Sequence, residues 1–532
     1  MSRRRRSTYG SYYSGYKREK ERKVPSPLPY LFIALLAAAG LAYFHVIAFK
    51  SLSGKVTNAY TGAAMPNVTV AINAGASGPV TGTIAPAKPM TGTTGMDGTF
   101  HFDKIPDAPV VTVAMAGYTP QTIDASGKAS LEIKLVPDML SGAILSTDGK
   151  PLPGASVVVN GGRVLSGADG KYAFKWLTSD HKLVVKAPGY LANVVQVGKV
   201  LTQNVTLQPF VAKAIYINAD TVATPGKLQA LLALVDRTEL NAMVIDVKAD
   251  NSGRVLYASD NPVVKQLGTS DPIIPDLGGL LATLKAHKIY TIARLPVFWD
   301  QAVTQAKPEW ALHSKKAPGQ PWVAGNGTRW ANPYDPNVWD YNLGIAKEVA
   351  SKGFDEVQLD FAYFPSVGEL DDIDYGQYAQ GKRRMDAIDG FLDRAYTELS
   401  PMGTYISVDV LAFTPFVQDD MGVGQNFEQV ARRADYVSPY LYPSDYPDNF
   451  SEFAHPAEHP FDIVAQTMQS ANTRAQGLGA KMQPWLQDFN GTVPYDATKV
   501  RQEIDAAEQN GAAGWMLWNF GNVYTEGALK GQ

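Results

Sequence analysis

Cysteine is absent from this chain of 532 residues. That excludes disulfides, thiolate metal sites and a cysteine nucleophile, though it fixes no compartment. Histidine is scarce, with 7 in all, and no cluster has the spacing of a metal site. No glycine-rich phosphate loop follows a strand-like run. A surplus of charge is missing too: the net charge is -3, so nothing global draws the chain to nucleic acid. Neither a metal nor a cofactor nor a nucleic-acid partner is therefore expected. What is present is ordinary globular composition, 45% hydrophobic and 19% charged. The length exceeds what one core supports, so two to four domains are expected. Trp and Tyr gather in the second half near strand ends, a pattern common where flat rings stack on sugars and also common in large cores.

The N-terminus divides into two parts. Residues 1–27 are basic and polar, with Arg3, Arg4, Arg5 and Arg6 followed by Lys17, Arg18, Lys20, Arg22 and Lys23. No apolar period runs through them, which predicts a disordered tail. Residues 28–49 are almost wholly apolar. Roughly twenty helical residues span a hydrocarbon core of about 30 Å, so this run predicts a single transmembrane helix with membrane lipid as its partner. Positive charge lies before it, which places the tail in the cytoplasm and everything after Lys50 outside. The rival reading is a cleaved signal peptide. The run is long for one, and the exit through Phe44, His45, Val46 and Ile47 is a poor small-residue cleavage site.

Residues 52–138 and 139–210 read as one module written twice. The first carries Ser53-Gly54-Lys55-Val56, Gly95-Met96-Asp97-Gly98-Thr99-Phe100 and Ala116-Gly117-Tyr118. The second carries Ser141-Gly142-Ala143-Ile144, Gly167-Ala168-Asp169-Gly170-Lys171-Tyr172 and Ala187-Pro188-Gly189-Tyr190. Short alternating strands with Asp-Gly turns predict two small antiparallel β-sandwiches. These motifs resemble the carboxypeptidase regulatory-like family of transthyretin-type sandwiches, which implies structural or binding modules rather than enzymes. Such modules would act as a stalk; direct glycan binding is the alternative. The first copy has an insertion over 75–94, rich in Gly, Thr, Ala and Pro, expected to be a mobile loop.

Beyond Phe210 the period changes, and apolar runs alternate with helical stretches. The runs are 214–219, 242–247, 290–297, 356–361, 405–410, 436–442, 481–486 and 514–518. Eight such units over residues 213–532 predict a parallel (β/α)8 TIM barrel. Gly353 is placed to close the helix before the fourth run. In that run Val357 and Leu359 alternate with Gln358 and Asp360, so a carboxylate arrives at the strand's C-terminal end, where barrel chemistry sits. Polar residues collect at the same end of the other runs: Asp246 and Lys248, Arg294, Asp409, Tyr440 and Tyr442, Trp485 and Gln487, Trp518 and Asn519. Core packing alone would not select that shared position.

The text around Val244-Ile245-Asp246-Val247-Lys248, Gly353-Phe354-Asp355-Glu356-Val357-Gln358-Leu359-Asp360-Phe361, Asp435-Tyr436-Val437-Ser438-Pro439-Tyr440-Leu441-Tyr442-Pro443-Ser444 and Gln483-Pro484-Trp485-Leu486-Gln487 resembles a TIM-barrel family long known as a domain of unknown function. The resemblance implies an assumed glycosidase activity with a poorly defined substrate. Two positions depart from the family pattern. Tyr363 stands where that pattern has Arg, and Leu411-Ala412 stands where it favours Phe-Gly.

Glycoside cleavage uses two carboxyl groups, one ionised and one protonated. Asp360 and Asp409 come from adjacent strands about 4.8 Å apart, which favours the short spacing of a retaining enzyme, about 5–5.5 Å. Asp360 is expected as nucleophile and Asp409 as acid/base. An inverting pair using Asp488 or Asp246 stays open. Lys248 and Arg294 would keep a carboxylate ionised, and Gln358, Tyr440, Tyr442, Trp485, Gln487, Trp518 and Asn519 would line the substrate site. The competing reading pairs Asp246 with Lys248 as an internal ion pair and makes Trp485 and Trp518 barrel packing. The acidic run Glu369, Asp371, Asp372 and Asp374 is expected to be a solvated lid loop without calcium-loop spacing. The functional expectation is a membrane-anchored, outward-facing glycoside hydrolase acting on an envelope or extracellular polysaccharide. The alternatives are a barrel that binds glycan without cleaving it and a peptidoglycan-associated scaffold.

Overall fold

The structure is a computed structural model that describes residues 31–40, 51–74, 88–175, 181–198, 202–250 and 252–531. Within the apolar run, residues 31–40 are helical, and the rest of the expected membrane span, like the basic tail, lies outside the described residues. Among the described residues no helix is long and apolar enough to cross a membrane. The chain divides into two units, ending and beginning at Pro137 and Asp138.

The first unit contains one sandwich. Leu52–Asn58 lies between Thr99–Phe102 and Ser130–Leu135 in one sheet, and Met90–Thr93, Thr69–Ala74, Pro109–Ala114 and Gln121–Asp124 make the other. The second unit opens with the same arrangement: Met139–Ser146 between Lys171–Lys175 and Val205–Leu207, facing Gly162–Leu165, Ser156–Val159, His181–Lys186 and Asn193–Val197. The repeat is thus structural as well as textual. Neither sandwich is wholly antiparallel, however, because the first and last strands of each copy pair parallel. The expected loop over 75–94 is likewise shorter: residues 90–93 pair with Thr69–Ala74, and 75–87 lie outside the described residues.

The Asp-Gly turns explain why the repeat holds. Gly98 and Gly170 adopt φ of 77° and 73°. A Cβ there would stand 2.5 Å from the Val56 carbonyl oxygen and 2.7 Å from that of Ile144, so only glycine fits.

The barrel strands follow the expected runs: Ala212–Ile217, Ala242–Asp246, Tyr290–Pro296, Glu356–Asp360, Tyr405–Val410, Tyr436–Leu441, a seventh split into Lys481–Met482 and Trp485–Gln487, and Gly514–Trp518. Neighbours pair parallel all the way round, and strand five pairs with strand six to close the ring. The split falls at Gln483-Pro484, since Pro484 has no N–H for the ladder. Period two divides each strand. Ile215, Ile245, Leu295, Leu359 and Val408 pack outward against the helices. Ala214, Tyr216, Val244, Ile292, Tyr405, Trp485 and Met516 fill the lumen. Gly353 ends the helix Pro336–Lys352 with φ of 104° and returns its N–H to the Ala350 and Val349 carbonyls.

At the strand N-termini the lumen is stoppered by the second sandwich, and the Ala187-Pro188-Gly189-Tyr190 turn does it. The Tyr405 hydroxyl donates to the Tyr190 carbonyl at 2.7 Å, and the Gly189 N–H donates to the Tyr436 hydroxyl at 3.0 Å. Lys186 Nζ donates to Asp435 at 2.6 Å and to the Thr404 carbonyl at 2.9 Å. This module is therefore built onto the barrel rather than serving as a free spacer.

The side chains of Lys186 and Asp435 are 1% and 3% exposed. Lys186→Ala strands a carboxylate without its cation, a loss of about 3–5 kcal/mol, whereas Lys186→Met with Asp435→Asn removes both charges and costs less; barrel melting temperatures check the order. Deeper in the lumen Glu356 accepts from the Tyr290 hydroxyl at 3.1 Å, and burial pushes its carboxyl up to about 7 from 4.5. The folded chain then binds this proton more tightly than the unfolded one, so stability is full below the unfolded value and is lost as pH rises through about 7. Glu356→Gln should raise stability at pH near 8 by up to roughly 3 kcal/mol and give no gain near pH 4, as read by melting at the two pH values.

Candidate active site

Arg294 is the centre of the barrel mouth. It shares the lumen-facing side of strand three with Tyr290 and Ile292, and register sets it beside Asp246 of strand two. Its Nε donates to Asp360 at 2.7 Å and its Nη1 to Asp246 at 2.8 Å, while Nη2 lies 3.3 Å from Asp250 and 2.6 Å from Asp360. The guanidinium carbon sits 5.1 Å from the Trp518 ring centroid and 5.8 Å from that of Tyr216. Burial works against its charge, but the carboxylates of Asp360, Asp246 and Asp250 outweigh it and raise its pKa further. Asp246 also accepts from the Tyr216 hydroxyl at 2.5 Å. Burial nevertheless lifts Asp246 to about 6, Arg294 opposing the rise.

Asp360 and Asp409 stand side by side. Strands four and five pair Leu359 with Val408, and each carboxylate is the next residue along. Both are fully buried, yet their surroundings differ. Asp360 faces Arg294 through Oδ2, and its Oδ1 accepts from the Tyr440 hydroxyl and, at 2.6 Å, from the Phe361 N–H. Asp409 accepts only from Trp485 Nε1, at 3.0 Å through Oδ1, and its Oδ2 has no hydrogen-bond partner among the described residues. Burial first, and the negative charge of Asp360 second, push the Asp409 carboxyl well above the usual range. The two carboxyl groups are therefore unlike: Arg294 faces one, while the other is buried beside that charge with no cation of its own.

Phe361 follows Asp360 with φ of 49°, a left-handed conformation rare for a bulky residue. Its ring packs 4.6 Å from Trp299 and 5.6 Å from Tyr363. Above the carboxylates lies a cavity of about 390 Å³, walled by Phe361, Tyr363, Leu411, Ala412, Phe413, Met421, Tyr440, Tyr442 and Trp518, with Arg294, Asp250 and Asp445 as its charged groups. Asp360 and Asp409 lie beneath this wall rather than on it.

Of the residues expected at the mouth, Asp246, Arg294, Asp360, Asp409, Tyr440, Tyr442, Trp485 and Trp518 do come together there. Four do not. Lys248, expected at the substrate site, is fully buried against Asp300, the N-cap of helix Gln301–Ala306, at 2.7 Å and Asn342 of helix Pro336–Lys352 at 2.8 Å, and the ion pair with Asp246 of the competing reading does not form either. Gln358 sits one layer lower and donates across the lumen to the Met516 sulfur at 3.3 Å. Gln487 is spent on Ser444 and the Phe489 carbonyl, and Asn519 on the carbonyls of Asp488 and Val523. Asp488, one alternative second carboxylate, is held by the N–H and hydroxyl of Thr525. In the acidic run Glu369, Asp371 and Asp374 are exposed, and Asp372 accepts from the Ser314 hydroxyl and the Lys316 N–H, both at 2.7 Å. Asp250, Asp445, Phe361, Phe413 and Met421 escaped sequence reasoning as site residues. Asp250 and Asp445 each fall a few residues past a strand end, where only loop geometry decides direction. Among the described residues no group of three or more His, Asp or Glu side chains is arranged to hold a metal ion.

Three solved structures illustrate what the chain resembles. A hypothetical protein from Ruminiclostridium thermocellum ATCC 27405 is 32% identical, covering 39% of this chain and 98% of its own, with a TM-score of 0.34. The PgaB (BpsB) glycoside hydrolase domain from Bordetella bronchiseptica is 15% identical over 58% of this chain and 94% of its own, with a TM-score of 0.44. The β-galactosidase from the psychrophilic Marinomonas ef1 is 10% identical over 58% and 54%, with a TM-score of 0.42. Comparison with curated proteins gives no match. Residues 139–208 match the carboxypeptidase regulatory-like domain. Residues 214–524, more than half the chain, match the family described as "Putative glycosyl hydrolase domain", and the chain belongs to that family.

Proposed function

We propose that this chain is a membrane-anchored glycoside hydrolase that acts outside the cytoplasm on an envelope or extracellular polysaccharide, with Asp360 as nucleophile and Asp409 as general acid/base. The observation that carries the reading is the asymmetry between two neighbouring carboxyl groups: Arg294 pairs with Asp360, while burial beside it pushes Asp409 well above the usual carboxylate range. Asp409 gives its proton to the glycosidic oxygen as the bond to the anomeric carbon breaks, and Asp360 bonds to that carbon. Asp409, now ionised, takes a proton from water, which attacks the same carbon and releases Asp360. Two adjacent strands suit the short carboxyl spacing of retention, about 5–5.5 Å. Tyr440 donates to Asp360, and Tyr442 and Trp518 offer ring faces to the sugar.

A second reading, binding without cleavage, draws on one observation: both carboxylates are wholly covered. Assays on a polysaccharide panel separate the two. Hydrolysis is expected to vanish in Asp360→Asn and to fall about 10²–10⁴-fold in Asp409→Asn. Activity must also decline as pH rises through the elevated pKa of Asp409, because the acid form is lost, and that alkaline limb should disappear in Asp409→Asn. Wild-type turnover in Asp360→Asn would leave the binding reading. For the membrane, residues 28–49 should keep the full chain in the pellet after alkaline extraction, with the barrel open to external protease in intact cells; release or protection would count against the topology.

A further inference from the structure

We propose that the sugar bound in the barrel mouth carries an unacylated, protonated amino group, recognised by Asp445 and Asp250, and that uronic acids and sulfated or phosphorylated sugars are turned away. The inference rests on the mouth being the glycan site and adds the chemical class of the glycan.

Among the described residues lining the cavity, Arg294 is the sole Lys or Arg side chain. Each of its three nitrogens already faces a carboxylate: Nε and Nη2 face Asp360, Nη1 faces Asp246, and Nη2 also faces Asp250. It is 4% exposed, with Trp518 over the guanidinium. An anionic sugar would have to displace one of these carboxylates to gain a positive partner. It would meet instead the two acids that do stand on the wall, because Asp360 and Asp409 are covered.

Those two acids have charge to spare. Asp250 shares its one ionic contact, at 3.3 Å, with a nitrogen that lies closer to Asp360, at 2.6 Å. Asp445 has no ion-pair partner among the described residues, and its backbone N–H is tied to the Tyr442 carbonyl at 2.9 Å, which fixes the turn that carries it. Around them the wall is aromatic. Faces of Tyr440, Tyr442 and Phe413 attract a cation through their quadrupoles and give nothing to an anion. A neutral N-acetyl sugar would stack on the same rings, but its amide would leave both carboxylates without a counter-charge. A protonated amine supplies that charge.

The test uses the full-length chain and three monosaccharides that share a ring and differ in charge: D-glucosamine, N-acetyl-D-glucosamine and D-glucuronate. Binding is measured by saturation-transfer NMR with competition at about pH 6, below the ordinary range of an α-amino group. Glucosamine should bind at least about tenfold tighter than N-acetylglucosamine, and glucuronate should not bind. Asp445→Asn, at an exposed position that carries no folding contact through its carboxylate, should collapse the ratio towards one. Asp250→Asn should lower it as well. Glucuronate binding as tightly as glucosamine, or a ratio unchanged in Asp445→Asn, would overturn the inference. The hydrolase reading fails separately. Glucosamine preference with no cleavage of any polymer, de-N-acetylated ones included, would sustain the charge inference and sink catalysis. Cleavage that Asp360→Asn abolishes, with no preference for the amine, would do the reverse.

Discussion

A single guanidinium held among three carboxylates inside a closed ring of strands is the constraint on which the mouth depends. Burial works against the charge of Arg294, and the neighbouring Asp246, Asp250 and Asp360 outweigh it; among the described residues Arg294 is in turn the one cation that each of them faces. Parallel pairing supplies the geometry. Strands two, three and four are neighbours, their lumen-facing positions fall in step, and the contacts close without strain in the ladder. Beside Asp360 the character of Asp409 follows, because burial and a neighbouring negative charge both oppose its ionisation.

The position of these groups was legible because it depends on period. Eight apolar runs gave the strands, the alternation inside each run gave the lumen face, and the strand C-terminus gave the mouth. Asp246, Arg294, Asp360 and Asp409 all obey those rules. The failures fall where the rules stop. Lys248 lies two residues past the end of strand two, where alternation no longer governs direction, and its long stem carries the ammonium to Asp300 and Asn342. Gln358 obeys the alternation but belongs to a lower layer, a distinction of depth that composition does not encode. Gln487 and Asn519 sit at the right end of their strands, yet each is taken by a carbonyl of the loop that follows it, Phe489 and Val523, so the turn decides where the side chain goes. Asp445 lies in a turn with no period at all.

The second sandwich shows a different limit of sequence. Its Ala187-Pro188-Gly189-Tyr190 turn matches its counterpart in the first copy, so the text predicts a repeated module and nothing more. In the folded chain that turn meets Tyr405 and Tyr436, the lowest lumen residues of strands five and six, and Phe210 packs 5.0 Å from Tyr290. A repeat unit has become the floor of the barrel. The two modules are alike in their own strand order and unlike in what their turns touch: in the first, the Tyr118 hydroxyl accepts from Asn58 of its own sandwich.

Between that floor and the mouth the lumen is polar to a degree that packing alone would not favour. Glu356, Gln358, Ser407 and Ser438 face inward with no exposed surface. Such groups raise the energy of the native state unless they are neutral or paired, and the direction of the Glu356 shift is the expected response, a carboxyl that stays protonated near neutrality. Its charge, if formed, would also lift Asp409, since the two share the lumen face of adjacent strands. The backbone at Phe361 belongs to the same economy of position. A left-handed bulky residue costs of order 1–3 kcal/mol, and here it turns its N–H onto Asp360 Oδ1 while its ring is wedged between Trp299 and Tyr363. The rings hold the backbone, the backbone holds the carboxylate, and the carboxylate is thereby oriented from the loop side as firmly as Arg294 orients it from the lumen.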